Sequence, residues 1–193
     1  MSKQAQSDEH RIILAGFGGQ GILTLGKLLC TAVMNEGKQT SYLPSYGSEV
    51  RGGTANCHVV ISSSQIFSPY VDDPHWIIIL NQLSFERFGD CLRPGGLAVL
   101  NTSLAEPGDW ADTRDVTLLP IPATETAVEM GSIVVANVLM LGAFLRACRV
   151  CEAETVREAI GELLSGRKSD QIEINLQALE TGMQLAAEAV SKT

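Results

Sequence analysis

The chain has 193 residues, of which 45% are hydrophobic, and it carries 14 lysines and arginines against 22 aspartates and glutamates. This length and apolar content predict one folded domain with its own core and exclude a disordered chain. The net charge of −8 excludes nucleic-acid or anionic-lipid binding through a bulk basic surface. No apolar run approaches the ~18 residues of a membrane span, and the polar first ten residues do not resemble a signal peptide. We therefore expect a cytoplasmic protein that binds neither nucleic acid nor membrane, and whose five cysteines are reduced thiols.

The hydrophobic pattern predicts strands that alternate with helices, followed by a helical tail. Residues 1–10 are expected to form a disordered leader and residues 11–193 a single domain. The predicted strands cover residues 11–15, 39–43 (ended by Pro44), 54–62, 76–80, 97–101 and 116–121, and a short strand at 65–67 is predicted to form a hairpin with the strand before it. The predicted helices cover residues 22–36, 82–91, 124–129, 133–147, 152–164 and 170–190. The predicted fold is α/β: a three-layer α/β/α domain with a mostly parallel, mixed sheet and a C-terminal helical segment.

A glycine-rich turn, GFGGQG at residues 16–21, lies between the first predicted strand and the first predicted helix. The spacing of Gly16, Gly18 and Gly21 lets a ligand approach backbone N–H groups at a helix N-terminus, where the partial positive charge favours an anion. A dinucleotide site would also need an acidic residue at the end of the second strand, to hold the ribose. Residues 42–45 contain no acid. The turn therefore favours a general anion site over an NAD site, and close strand–helix packing alone is also compatible with the glycines.

A second polar and glycine-rich loop lies at residues 45–53, between two predicted core strands. Loops of this composition in such a position are often functional. Arg51, next to Gly52 and Gly53, could present a guanidinium group and bare backbone to an anion. An ion pair between Glu49 and Arg51 that only fixes the loop is equally compatible with the composition.

The remaining polar residues of interest are given structural interpretations. His58 is interpreted as a packed strand residue and His75 as a solvent-facing turn residue, because the three histidines form no metal-ligand cluster. Cys148 and Cys151 form a CxxC, but it follows a helix and has no second CxxC to complete a zinc site. Asn137, within a nearly all-apolar helix, is expected to clamp a neighbouring loop.

Several segments together resemble the gamma subunit of 2-oxoacid:ferredoxin oxidoreductases. The two most specific are GFGGQG at residues 16–21 and YGSEVRGG at residues 46–53. Weaker matches follow in the same order, at Ser68-Pro69, PGG 94–96, PATETA 122–127, NVLMLGA 137–143 and NLQAL 175–179. The similarity covers residues 11 to about 185, and the chain length is most similar to the 2-oxoglutarate type.

The resemblance implies an enzyme subunit that is not catalytic alone. In that family a thiamine diphosphate carbanion decarboxylates a 2-oxoacid, electrons leave through iron–sulfur clusters to ferredoxin, and the acyl group passes to coenzyme A. Thiamine diphosphate and the clusters are expected on partner alpha and beta subunits, with a delta subunit as a further partner. This chain is expected to contribute to complex assembly and to the coenzyme A approach, and to be able to homodimerise when isolated.

The resemblance and the two loops define the candidate cofactor-binding residues. They are expected to contact coenzyme A phosphates or a neighbouring subunit, and no catalytic or metal-binding residue is predicted. The set comprises Gly16, Gly18, Gly19, Gln20, Gly21, Tyr46, Gly47, Glu49, Arg51, Gly52 and Gly53. A stand-alone Rossmann-like dinucleotide-binding protein and a purely structural subunit without ligand contact remain as alternatives.

Overall fold

A computed structural model describes residues 9–46, 54–166 and 171–191. These residues form six strands, six α-helices and two short 3-10 helices. The strands are β1 (His10–Phe17), β2 (Gln39–Tyr46), β3 (Thr54–Ser62), β4 (Trp76–Ile79), β5 (Gly96–Asn101) and β6 (Val116–Ile121). The α-helices are α1 (Ile22–Asn35), α2 (Gln82–Phe88), α3 (Ala123–Glu129), α4 (Ala136–Cys148), α5 (Ala153–Leu164) and α6 (Ile172–Val190), with the 3-10 helices at Gly89–Cys91 and Ile133–Val135.

The strands form one mixed sheet in the order β2-β3-β1-β4-β5-β6. β1, β4, β5 and β6 pair in parallel, and α2 lies in the crossover from β4 to β5. β3 lies between β1 and β2 and runs antiparallel to both. The mostly parallel, mixed sheet is therefore confirmed, and its antiparallel part lies at the β2 edge.

The helices cover the two faces of the sheet unequally. Alternate residues of β1 face opposite sides, so that Ile12 and Leu14 belong to one buried cluster and Ile13 and Ala15 to another. The first and larger cluster lies under α1, α4, α5 and α6. The second lies under α2 and the irregular segments that follow β3 and β5. Among the described residues, no helix is long and apolar enough to cross a membrane.

Two glycines bring α4 and α6 into direct backbone contact. A Cβ atom on Gly142 would overlap the carbonyl oxygen of Leu179 and lie 3.0 Å from its carbon. A Cβ atom on Gly182 would in turn overlap the carbonyl oxygen of Leu139 and lie 2.8 Å from its carbon. Because each glycine faces the backbone of the other helix, the crossing has no room for a methyl group on either side.

Among the differences from the sequence predictions, three concern the edge and the ends of the sheet. β2 continues past Pro44 to Tyr46, because β2 is an edge strand and the missing proline N–H can face away from the sheet. The predicted hairpin strand at residues 65–67 is wrong: this segment has no strand structure, and Phe67 is 87% exposed. β1 begins at His10, one residue before the predicted domain start, and the ring of His10 stacks on Trp76.

Candidate functional site

The glycine turn lies at the carboxyl end of β1, where the chain enters α1. Gly19 and Gly21 have φ angles of +99° and +77°, a left-handed conformation that favours glycine. The Gln20 N–H donates to the Phe17 carbonyl over 3.1 Å, which closes the turn. Gly18 and Gly19 are exposed, and a Cβ atom on Gly19 would meet nothing within 4 Å. The tip of the turn is therefore open backbone.

The side chain of Gln20 holds this turn in place from inside. Its Oε1 accepts from the Phe17 N–H at 2.6 Å and from the side-chain amide of Asn81 at 2.8 Å, and its Nε2 donates to the Leu80 carbonyl at 3.4 Å. A Cβ atom on Gly16 would lie 2.8 Å from the same Oε1. Gln20, which is unusual in a dinucleotide-binding turn, therefore stabilises the conformation of this turn. The lack of a side chain on Gly16 leaves room for the Gln20 amide.

Two asparagines that the sequence analysis did not single out extend this network along the strand ends. Asn81 follows β4, and its Oδ1 accepts from the Ser84 N–H at 2.9 Å, which caps α2. Asn101 ends β5, donates to the Leu80 carbonyl at 3.1 Å, and accepts from the Ala123 N–H at 3.1 Å. Both are at most 2% exposed, so each amide replaces water for buried backbone groups. The signal in the sequence was an asparagine directly at the end of each of two buried strands.

Asn137 clamps the start of α1, as predicted. Its Nδ2 donates to the Gly21 carbonyl at 3.1 Å, and its Oδ1 accepts from the Val138 N–H at 2.9 Å. A Cβ atom on Gly21 would overlap this amide nitrogen and lie 3.0 Å from Cγ. The third glycine of the motif is therefore required by contact with α4 as well as by its φ angle.

A cavity of about 460 Å³ opens beside the turn. Glycine-turn and α1 residues form one wall, and the segment before α4 and the start of α6 form the other. The lining includes Gly18, Gly19, Gly21, Ile22, Thr24, Ala55, Ser132, Val134, Asn137, Gln171, Ile174 and Asn175. Within the described part of the chain no lining residue is charged, so this wall offers amides, hydroxyls and apolar surface.

The positive end of α1 faces this cavity. Gly21 is the N-cap residue, and as a glycine it has no side chain to cap the first turn of the 14-residue helix. Helix N-termini carry roughly half a positive charge and present N–H donors. The site therefore combines a weakly positive backbone wall with described lining residues that carry no charge.

The second predicted loop is described only at its border. Tyr46 is the last residue of β2, and its backbone pairs with Ala55 of β3, which itself lines the cavity. The other candidates in this loop, Gly47, Glu49, Arg51, Gly52 and Gly53, lie outside the described residues.

The sheet order disfavours a dinucleotide site. In the dinucleotide-binding fold the strand beside β1 is parallel and ends in the acid that holds the ribose. Here β1 pairs with β3, which runs antiparallel to it. The end of β3 beside the glycine turn is therefore its first residue, Thr54, and not the carboxyl end that would carry the acid.

The other candidate residues behave as structural groups. His58 is 7% exposed, its Nδ1 accepts from the Val71 N–H at 3.0 Å, and burial lowers its pKa below the ordinary value. His75 is not simply solvent-facing, because it is half-buried and its Nδ1 accepts from the Arg11 N–H at 3.1 Å. Both CxxC cysteines are free, and burial raises the pKa of Cys148 and of Cys151 to about 12.

Comparison with known proteins gives one family and a consistent set of relatives. The family model described as pyruvate ferredoxin/flavodoxin oxidoreductase matches residues 11–185. The chain is 33% identical to 2-oxoglutarate synthase subunit KorC of Methanocaldococcus jannaschii, over 97% of this chain and 100% of that one. It is 40% identical to ketoisovalerate oxidoreductase subunit VorA of Methanothermobacter marburgensis, over 90% of this chain. The chain spans just over a third of the length of that relative, at 36%.

Solved structures agree with the fold. The 2-oxoglutarate:ferredoxin oxidoreductase from Magnetococcus marinus, solved with 2-oxoglutarate, coenzyme A and succinyl-CoA bound, superposes with a TM-score of 0.85 at 26% identity. The match covers 93% of this chain and 31% of that one. The keto/oxoacid ferredoxin oxidoreductase gamma subunit from Geobacter sulfurreducens gives a TM-score of 0.76 at 26% identity, over 93% of this chain and 99% of that one.

Proposed function

Because the chain belongs to the pyruvate ferredoxin/flavodoxin oxidoreductase family, we propose that it is the gamma subunit of a 2-oxoacid:ferredoxin oxidoreductase. The complex oxidatively decarboxylates a 2-oxoacid to an acyl-CoA, and this subunit is not catalytic alone. The observation that carries the proposal is the end-to-end match with KorC, over 97% of this chain and 100% of the relative.

The cofactors of the reaction belong to the partner subunits in this proposal. Thiamine diphosphate supplies the carbanion that attacks the 2-oxoacid, and iron–sulfur clusters carry the electrons to ferredoxin. The described residues contain no group of three or more histidine, cysteine or acidic side chains able to hold a metal ion. We therefore assign the clusters to alpha, beta or delta subunits.

The role of this chain is to contribute to assembly and to the coenzyme A approach. The exposed backbone at Gly18 and Gly19 and the α1 N-terminus provide N–H donors for a phosphate or another acceptor. The neutral cavity beside them fits an uncharged, amide-containing chain better than a phosphate, because none of its described lining is charged. Arg51 would supply the cation that the coenzyme A phosphates need.

The test replaces Arg51 by alanine in the assembled enzyme. A raised KM for coenzyme A with normal assembly supports direct contact, whereas loss of assembly alone supports a role at a subunit interface. An unchanged KM with normal assembly would contradict both roles. Arg114→Ala is the matched control, because Arg114 pairs with Asp90 at 2.7 Å and lies over the ring of Trp110, in the cluster under α2.

For the substrate, we propose 2-oxoglutarate, which the full-length match to KorC supports. Initial rates of the purified complex with 2-oxoglutarate, the branched-chain 2-oxoacid and pyruvate test this choice. A preference for the branched-chain 2-oxoacid would contradict 2-oxoglutarate as the substrate and would agree with the higher sequence identity to VorA.

A further inference from the structure

A second and larger cavity, which we call the β6 groove, shares no described lining residue with the cavity beside the glycine turn. It has a volume of about 950 Å³ and runs along β6 from Thr117 to Pro122, on the face covered by α4 and α6. Trp76, Leu97 and Thr117, which face each other across three neighbouring strands, form its floor. The last turns of α4 and α6 form its wall. At this end the two helices leave part of the sheet uncovered.

The surface of the groove is apolar in the middle and charged at the rim. Leu185, Ala189 and Val190 of α6 face it, and Val190 is 61% exposed. Arg146 and Glu188 are the charged residues of its described lining. β6 is also the edge strand of the sheet, so one side of its backbone has no neighbouring strand among the described residues. These features suit an apolar segment with a polar border.

Both ends of the described domain border this groove. At the amino end, the ring of His10 stacks on Trp76 with 4.5 Å between ring centroids. At the carboxyl end, the family match stops at residue 185 and the last helical residue is Val190, both on the groove wall.

The longer relatives show what continues from such ends. The match covers 36% of the VorA chain, so the rest of VorA precedes or follows the matched segment. In a domain with this fold, polypeptide that continues from either described end starts beside the β6 groove. We propose that the β6 groove is the docking surface for the polypeptide that corresponds to the remainder of VorA. In the complex of this protein the occupant is an apolar segment of the partner subunit related to that remainder.

This inference rests on the proposed function, because it assumes that such a partner subunit exists. The probe is the purified chain from the same organism whose sequence matches the part of VorA outside this domain. Its dissociation constant is measured with full-length wild-type chain, with Val190→Asp, and with Thr117→Arg as a second groove variant. Met34→Asp is the control, because Met34 is 55% exposed in the last turn of α1, as Val190 is in the last turn of α6.

A docked groove predicts at least tenfold weaker binding for both groove variants and an unchanged constant for Met34→Asp, since a buried carboxylate or guanidinium without a partner is strongly unfavourable. Wild-type binding that neither groove variant weakens would overturn the inference and leave the proposed function standing. Absence of wild-type binding would overturn the proposed function and the inference with it. The wild-type chain could also associate with itself in a concentration-dependent way that the groove variants abolish and Met34→Asp does not. This result would show that a second copy of the chain occupies the groove, which also overturns the inference.

Discussion

The α4–α6 crossing gives the sharpest test of the packing. In Gly182→Ala the new methyl group would overlap the Leu139 carbonyl oxygen and lie 3.1 Å from the Ala143 nitrogen. Neither backbone atom can rotate away, so the helices must separate. Overpacking of this kind costs ~1–3 kcal/mol, and a backbone neighbour places it near ~3 kcal/mol. Alanine gains about 1 kcal/mol over glycine in a helix, which leaves a net loss of about 2 kcal/mol.

The assay is thermal unfolding followed by circular dichroism. For a domain of this size a loss of about 2 kcal/mol lowers Tm by roughly 4–8 °C. The matched control is Gly161→Ala in α5, where a Cβ atom would meet nothing within 4 Å, so that only the helix gain remains. We expect Gly161→Ala to raise Tm by roughly 2–4 °C. If Gly182→Ala raised Tm as Gly161→Ala does, the close crossing would be refuted.

Three further predictions concern the interior. Asn137→Leu should lower the free energy of unfolding in urea by about 1–3 kcal/mol, because the buried Val138 N–H loses its acceptor and the Gly21 carbonyl keeps only its second donor, the Leu25 N–H. An unchanged midpoint would contradict the clamp. Burial lowers the pKa of His58, so its protonation favours the unfolded state. Stability should be full above the ordinary pKa of 6.5 and fall as the pH drops below it, and His58→Gln should reduce that slope in urea titrations at pH 7.5 and 5.5. With burial raising the pKa of Cys148 and Cys151 to about 12, iodoacetamide at pH 8 should label exposed Cys91 first, and mass spectrometry showing equal rates would argue against that burial.

The sequence predicted the core elements because their signals are local. Continuous apolar runs gave the buried strands, and Gly37 after α1 marked the end of that helix. Pro44 led to a wrong prediction of the end of β2, because a proline ends a central strand but is tolerated in an edge strand. Whether a strand lies at the edge depends on the topology of the whole sheet. Residues 65–67 contain β-forming side chains but do not form the predicted strand. They find no strand to pair with, because β3 already pairs with β1 on one side and β2 on the other.

The sequence predicted the glycine turn of the candidate site but not the two asparagines that extend its hydrogen-bond network along the strand ends. The glycine turn, its place before α1 and the clamp by Asn137 are all confirmed. The amides of Asn81 and Asn101 converge on the same strand ends only because β4 and β5 follow β1 in the sheet. The sequence separation of these residues hides that arrangement, as it hides the contact of Gly142 with α6.

The most direct test of the proposed function uses this chain as bait in its own cell. An affinity tag is placed on the chain, the native protein is purified under anaerobic conditions, and the eluate is assayed for ferredoxin reduction. We predict co-purification of partner subunits with iron–sulfur absorbance, and ferredoxin reduction that requires both a 2-oxoacid and coenzyme A. Recovery of the tagged chain without partners, together with tight binding of NAD(H) or NADP(H), would contradict the account and favour a stand-alone dinucleotide-binding protein.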